Sequence, residues 1–77
     1  MICSVKEGSL PLFFQWSKDN RVISDTRVEI TSVDKRNSKL TIEKVSSSDS
    51  GNYTCNVRND FGQDSFTVTL IVKGMIR

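Results

Sequence analysis

Few side chains in this chain are equipped for chemistry: the thiols of Cys3 and Cys55, the amide of Asn52 in the sequon Asn52-Tyr53-Thr54, and scattered carboxylates and cations. There is no histidine, so neither a Ser-His nor a Cys-His pair can be assembled and no imidazole is on hand for a metal. The two cysteines stand 52 positions apart, which suits one long-range disulfide and not the paired C-x-x-C of a zinc site. Their even number points to an oxidising compartment. Closing so long a loop stabilises a fold by roughly 4 kcal/mol on the chain-entropy model. Asp60 and Asp64 have the chemistry of calcium ligands, yet a turn rich in Asp and Asn is ordinarily only a turn. Lys35, Arg36 and Lys39 carry a similar double reading, as a site for an acidic glycan or phosphate or as a solvated loop. This inventory predicts a protein that is not an enzyme and uses no cofactor, metal or small-molecule substrate.

Bulk properties narrow the class further. With 36% apolar residues, 26% charged and a net charge of +2, the composition is that of an ordinary globular domain and is too weakly basic for a nucleic-acid surface. A length of 77 residues accommodates one domain. Met1-Ile2-Cys3 has neither the charged nor the apolar region of a signal peptide, and no apolar run approaches the ~20 residues of a membrane helix. Any secretion signal or membrane anchor is therefore expected outside these residues.

The elements that must position the cysteines are short strands, since apolar residues alternate with period two and no helical periodicity is present. A first strand over about Ile2 to Lys6 turns Cys3 and Val5 inward. A second, Leu12 to Lys18, points Leu12, Phe14 and Trp16 inward and Phe13 and Gln15 outward. Asp19-Asn20 has the chemistry of a tight hairpin turn into a short strand at Arg21 to Ile23. A strand near Arg27 to Val33 is expected to bury Val28 and Ile30, and a polar loop over Asp34 to Ser38 leads to a strand with Leu40 and Ile42 inward and Lys39, Thr41 and Glu43 outward. Tyr53, Cys55 and Val57 face in along the next strand, and Phe66, Val68, Leu70 and Val72 alternate along the last.

Trp16 follows Cys3 by thirteen positions, and Cys55 closes the run Asp49-Ser50-Gly51-Asn52-Tyr53-Thr54-Cys55. These types at these offsets mark an all-β immunoglobulin-type sandwich of two antiparallel sheets. Cys3 and Cys55 would cross-link the sheets, Trp16 and Leu40 would pack on the bridge, and the Tyr53 hydroxyl would bond back to upstream backbone at a corner. Gly51 supplies conformational freedom where the loop enters the strand. Arg27 is expected to fork onto Asp49 and close the lower end of the sandwich. Because the strand carrying Cys3 has begun by residue 2, residues 1–77 read as a single truncated domain, strands B to G, with strand A missing.

The runs Cys3-Ser4-Val5-Lys6-Glu7-Gly8-Ser9-Leu10-Pro11-Leu12, Ser38-Lys39-Leu40-Thr41-Ile42-Glu43-Lys44-Val45 and Gly51-Asn52-Tyr53-Thr54-Cys55-Asn56-Val57-Arg58-Asn59, with Trp16, resemble an I-set immunoglobulin domain of the arthropod Dscam (Down syndrome cell adhesion molecule) family. The resemblance implies the extracellular part of a cell-surface membrane protein, binding an identical domain on an opposing cell in neuronal self-recognition or adhesion. Two other classes share the same core positions: a structural I-set module of a titin-like muscle protein, and a heterophilic receptor or immune-recognition domain. Redox state separates the second class from the first, because cytosolic thiols stay reduced.

Alternation assigns surfaces for such contacts. Lys6, Glu29, Lys39 and Glu43, with Thr31 and Thr41 between them, fall on the outer side of the sheet built from strands B, E and D, a face of mixed charge suited to a self-complementary contact. Its bland reading is an ordinary solvated face. Phe13 and Ile71 are sent to the outer side of the other sheet as a second candidate patch. Asn52 is sent there too, as a candidate N-glycosylation acceptor or a site left bare within a paired strand.

Overall fold

The computed structural model describes residues 1–73. Seven strands run in chain order: β1 (Ile2–Ser4), β2 (Phe13–Lys18), β3 (Arg21–Val22), β4 (Val28–Asp34), β5 (Asn37–Ile42), β6 (Gly51–Asn59) and β7 (Gly62–Leu70), with one 3-10 turn at Ser47–Asp49. They form two antiparallel sheets, one of order β1-β5-β4 and one of order β3-β2-β6-β7. Turn chemistry sets the registers. Asp19 and Asn20 both adopt positive φ, 49° and 68°, and join β2 to β3 by a two-residue hairpin that pairs Lys18 with Arg21. The Asn59 side chain accepts hydrogen bonds from the N–H groups of Phe61 and Gly62, closing the β6–β7 hairpin. Gly51 sits at φ 156°, and a Cβ there would come within 2.7 Å of an Asp19 carboxylate oxygen, so a larger residue would displace that side chain as well as adopt a conformation that favours glycine.

The core is a four-cornered unit. Within one sheet Cys3 stands opposite Ser38, and within the other Trp16 stands opposite Cys55. The Cys3–Cys55 disulfide, with Cα atoms 6.4 Å apart, spans the sheets along one side. Along the other side the Trp16 indole N–H donates to the Ser38 hydroxyl at 3.0 Å, out of contact with water. Leu40, Tyr53 and Val57 complete the buried set.

These links also set the order of opposition: β1 faces β6, β5 faces β2, and β4 is left over against β3, which is two residues long. That arrangement overturns the expected burial of Ile30. Its strand parity is inward, beside Leu40, but it remains 48% exposed because the opposing outer strand is too short to cover it. Phe66 and Val68 are in the same position at the other end. They pair with Cys55 and Tyr53 and share their inner face, yet are 43% and 51% exposed, since β7 lies beyond the last opposing strand. The expected loop over Asp34 to Ser38 is also corrected. Asp34 accepts from the Arg36 N–H and the Asn37 amide, tightening the connection to a two-residue turn, so that Asn37 and Ser38 already belong to β5.

Removing the Ser38 hydroxyl strands the indole N–H in a dry site. Ser38→Ala should therefore cost about 1–3 kcal/mol, read as a lower urea midpoint at unchanged slope. Trp16→Ala, which empties the centre of the core, should cost about 3–5 kcal/mol and leave the chain largely unfolded.

Candidate recognition face

The outer side of the β1-β5-β4 sheet is built by the odd positions of β5. Lys39 lies between Ile2 of β1 and Thr31 of β4, and Thr41 lies beside Glu29. All are exposed, and the Thr31 hydroxyl donates to the Glu29 carboxylate at 3.4 Å. Glu43 falls one residue past the end of β5, tied in by its N–H to the Arg27 carbonyl at 3.1 Å. Lys6 does not lie on the first strand: β1 ends at Ser4, and Lys6 is exposed in the turn that follows. Among the described residues both ion pairs use Arg27, so Lys39, Glu29 and Glu43 are not neutralised within the chain.

The opposite face is different in kind. Across the outer side of β2, β6 and β7 run the rows Phe13-Arg58-Gln63, Gln15-Asn56-Ser65 and Ser17-Thr54-Thr67, then Asn52-Thr69. Phe13 is 50% exposed with the Arg58 guanidinium carbon 5.2 Å from its ring centroid, a cation–π pair. Ile71 follows the Leu70–Gly51 end of the sheet, so it and Phe13 sit at opposite ends and form no common patch. Nor do the three cations gather: Arg36 turns its guanidinium to the Gly8 carbonyl at 2.9 Å, while Lys39 points out from β5. Asp60 lies in the β6–β7 turn and the Asp64 carboxylate accepts from the adjacent Ser65 N–H; among the described residues no three His, Cys, Asp or Glu side chains cluster for a metal.

Beneath both faces the lower end is closed by charge. Arg27 forks onto Asp49, Nη2 to Oδ1 at 2.8 Å and Nη1 to Oδ2 at 3.3 Å, and also donates to Asp25 at 3.0 Å. Asp49 is buried, accepts from the Ser46 N–H, and presents its backbone carbonyl to the Tyr53 hydroxyl at 2.6 Å. The Arg27 guanidinium, then the Ser46 N–H, hold the Asp49 carboxyl below the usual carboxylate range, and the Arg27 N–H and side chain do the same for Asp25. A carboxyl whose folded pKa is depressed contributes stability above its ordinary value near 3.8 and loses it as the pH falls through the folded value. Melting temperature should thus hold from neutrality to about pH 4 and fall steeply below it; Asp49→Asn should lower the plateau and flatten that acid limb, as followed by circular dichroism.

Comparison with known proteins agrees with this architecture. The immunoglobulin I-set domain family matches residues 1–72. The cell adhesion molecule Dscam2 of Drosophila melanogaster is 34% identical over 73 residues, a stretch that covers 94% of this chain and 4% of that protein. The crystal structure of the N-terminal eight immunoglobulin domains of Down syndrome cell adhesion molecule, isoform 1.30.30, superposes with a TM-score of 0.82 at 44% identity, over 92% of this chain and 11% of that one. The titin I-band fragment I67-I69 superposes with a TM-score of 0.79 at 36% identity, over 88% of this chain and 24% of that one. The chain thus spans a small fraction of the length of these relatives. Its disulfide-centred core, its two-sheet topology and its family match together place this chain in the immunoglobulin I-set family.

Proposed function

We propose that residues 1–77 form one extracellular recognition domain of a cell-surface adhesion protein, and that the domain binds an identical copy on an opposing cell, in the setting of neuronal self-recognition. The observation that carries this reading is the outer β1-β5-β4 face, where Lys39, Glu29 and Glu43 are exposed and carry no ion pair within the described chain. Lys39 and Glu43 lie symmetrically about Thr41. A two-fold axis through Thr41 sets one copy's β5 antiparallel to the other's, and Lys39 then meets the partner copy's carboxylate at position 43. Charges so placed select partners more than they add affinity. The likeness to Dscam proteins supports adhesion as the setting, and a disulfide linking the sheets suits an oxidising compartment.

The likeness to titin favours a second reading, a structural module working in the cytosol. Alkylation in denaturant of protein taken directly from its native cells separates the two, since a cytosolic module carries Cys3 and Cys55 as free thiols and a secreted one does not.

Beads bearing the parent chain and beads of a second colour bearing the doubly reversed K39E/E43K chain test the contact, with multivalent display making a weak interaction readable. Each population should aggregate with itself, because the reversed pair remains complementary, and the two should segregate. Free mixing of the colours would sink the proposed face and transfer attention to a self-contact through the exposed Phe13.

A further inference from the structure

We infer that Asn52 carries an N-linked oligosaccharide that the finished fold accommodates, and that it occupies the hydroxyl-rich end of the β3-β2-β6-β7 sheet. The inference depends on the secretory route contained in the functional reading above, and on no feature of the self-contact. Asn52 is exposed on the outer side of β6. Its Oδ1 accepts from the Thr69 hydroxyl at 2.8 Å, while Nδ2, the atom that would be glycosylated, makes no hydrogen bond among the described residues. The surroundings have the shape a first sugar needs. The neighbours are Thr69 and Asp19 beside it, the Asp19 carboxylate accepting from the Asn52 N–H at 3.0 Å, and Ser17, Thr54 and Thr67 in the next row, all short and polar. On β3 the second row ends in Val22, opposite Ser17, a short apolar side chain that is 66% exposed. The Phe13–Arg58 pair stands three rows away, roughly 20 Å along the strand.

The order of events follows from topology. β6 is paired with β2 on one side and β7 on the other, and the Thr54 hydroxyl is engaged by Thr67 at 3.0 Å. A transferase needs the sequon extended and free, so transfer must precede the docking of β7, which is synthesised after β6. The donor is a lipid-linked oligosaccharide pyrophosphate. The Asn52 Nδ2 forms a bond to the anomeric carbon as the carbon–oxygen bond to pyrophosphate breaks; the lipid pyrophosphate leaves with that electron pair and the amide gives up one proton, with no change of oxidation state. The fold then closes beneath the sugar. Because the sugar screens this end of the sheet, close protein contact is confined to the opposite face and to the Phe13 end.

The test is translation of the chain behind a cleavable secretion signal in the presence of endoplasmic-reticulum microsomes, with a second sequon appended after Arg77 as an internal control. The parent and Thr54→Ser should gain two oligosaccharides. Asn52→Gln and Thr54→Ala should gain only the control. Peptide N-glycosidase should remove both from the parent and leave a carboxylate at position 52. Modification of the control with none at Asn52 in the parent overturns the proposal. Alkylation in denaturant supplies a second, fold-sensitive reading: the chain glycosylated at Asn52 should show no free thiol, and free Cys3 and Cys55 in that species would show that sugar and fold exclude one another, which also overturns it. Neither result depends on whether the bead populations segregate.

Discussion

Everything in this domain depends on two sheets being held at one spacing by two links that differ in kind. The Cys3–Cys55 bond is covalent, and the Trp16–Ser38 hydrogen bond is sheltered from water; they connect residues that already sit side by side within each sheet. A single link would leave the sheets free to pivot about it. Two links on adjacent strand pairs remove that freedom, and the buried indole fills the space between them. A chain this short buries a smaller fraction of its unfolded surface than a larger domain does, so a cross-link that restricts the unfolded ensemble supplies a large share of its stability.

The same opposition of strands explains where the structure is thin. Sheets that differ in width and in strand length cannot cover one another, and the mismatch appears as apolar side chains of inward parity left half in water: Phe66 and Val68 on the extra strand β7, and Ile30 on β4 opposite the two-residue β3. At the lower end the molecule closes with charge instead of apolar volume. The buried Asp49 carboxylate is met by a forked guanidinium and a backbone N–H, which satisfies it without a larger core. Its backbone carbonyl anchors Tyr53, so corner and ion pair act as one unit.

The two outer faces then divide the functional possibilities. One presents isolated charges of both signs on a three-stranded sheet, with ion pairing among the described residues confined to Arg27 below it. The other presents short hydroxyls at one end and a guanidinium stacked on an aromatic ring at the other. A self-complementary contact needs opposite charges related by a two-fold axis, and the first face has the spacing for it. The second has the sequon.

Strand parity, turn chemistry and the cysteine and tryptophan spacing were legible in the residues, because each is a local property. Alternation alone assigns Cys55 inward and Asn52 outward, and Asp19-Asn20 needs only its own backbone preferences to turn. The extension of β5 back through Ser38 carried a legible signal as well, since Ser38, Leu40 and Ile42 share a parity, but a serine in a polar stretch reads as loop until an indole is seen to need an acceptor. What lay beyond the sequence was coverage. Whether an inward residue such as Ile30 is buried depends on the length of a strand in the other sheet, and whether Phe13 and Ile71 make one patch depends on register along a whole sheet. Local pattern sets which side of a strand a residue faces; only the packing of one sheet on another decides what, if anything, meets it there.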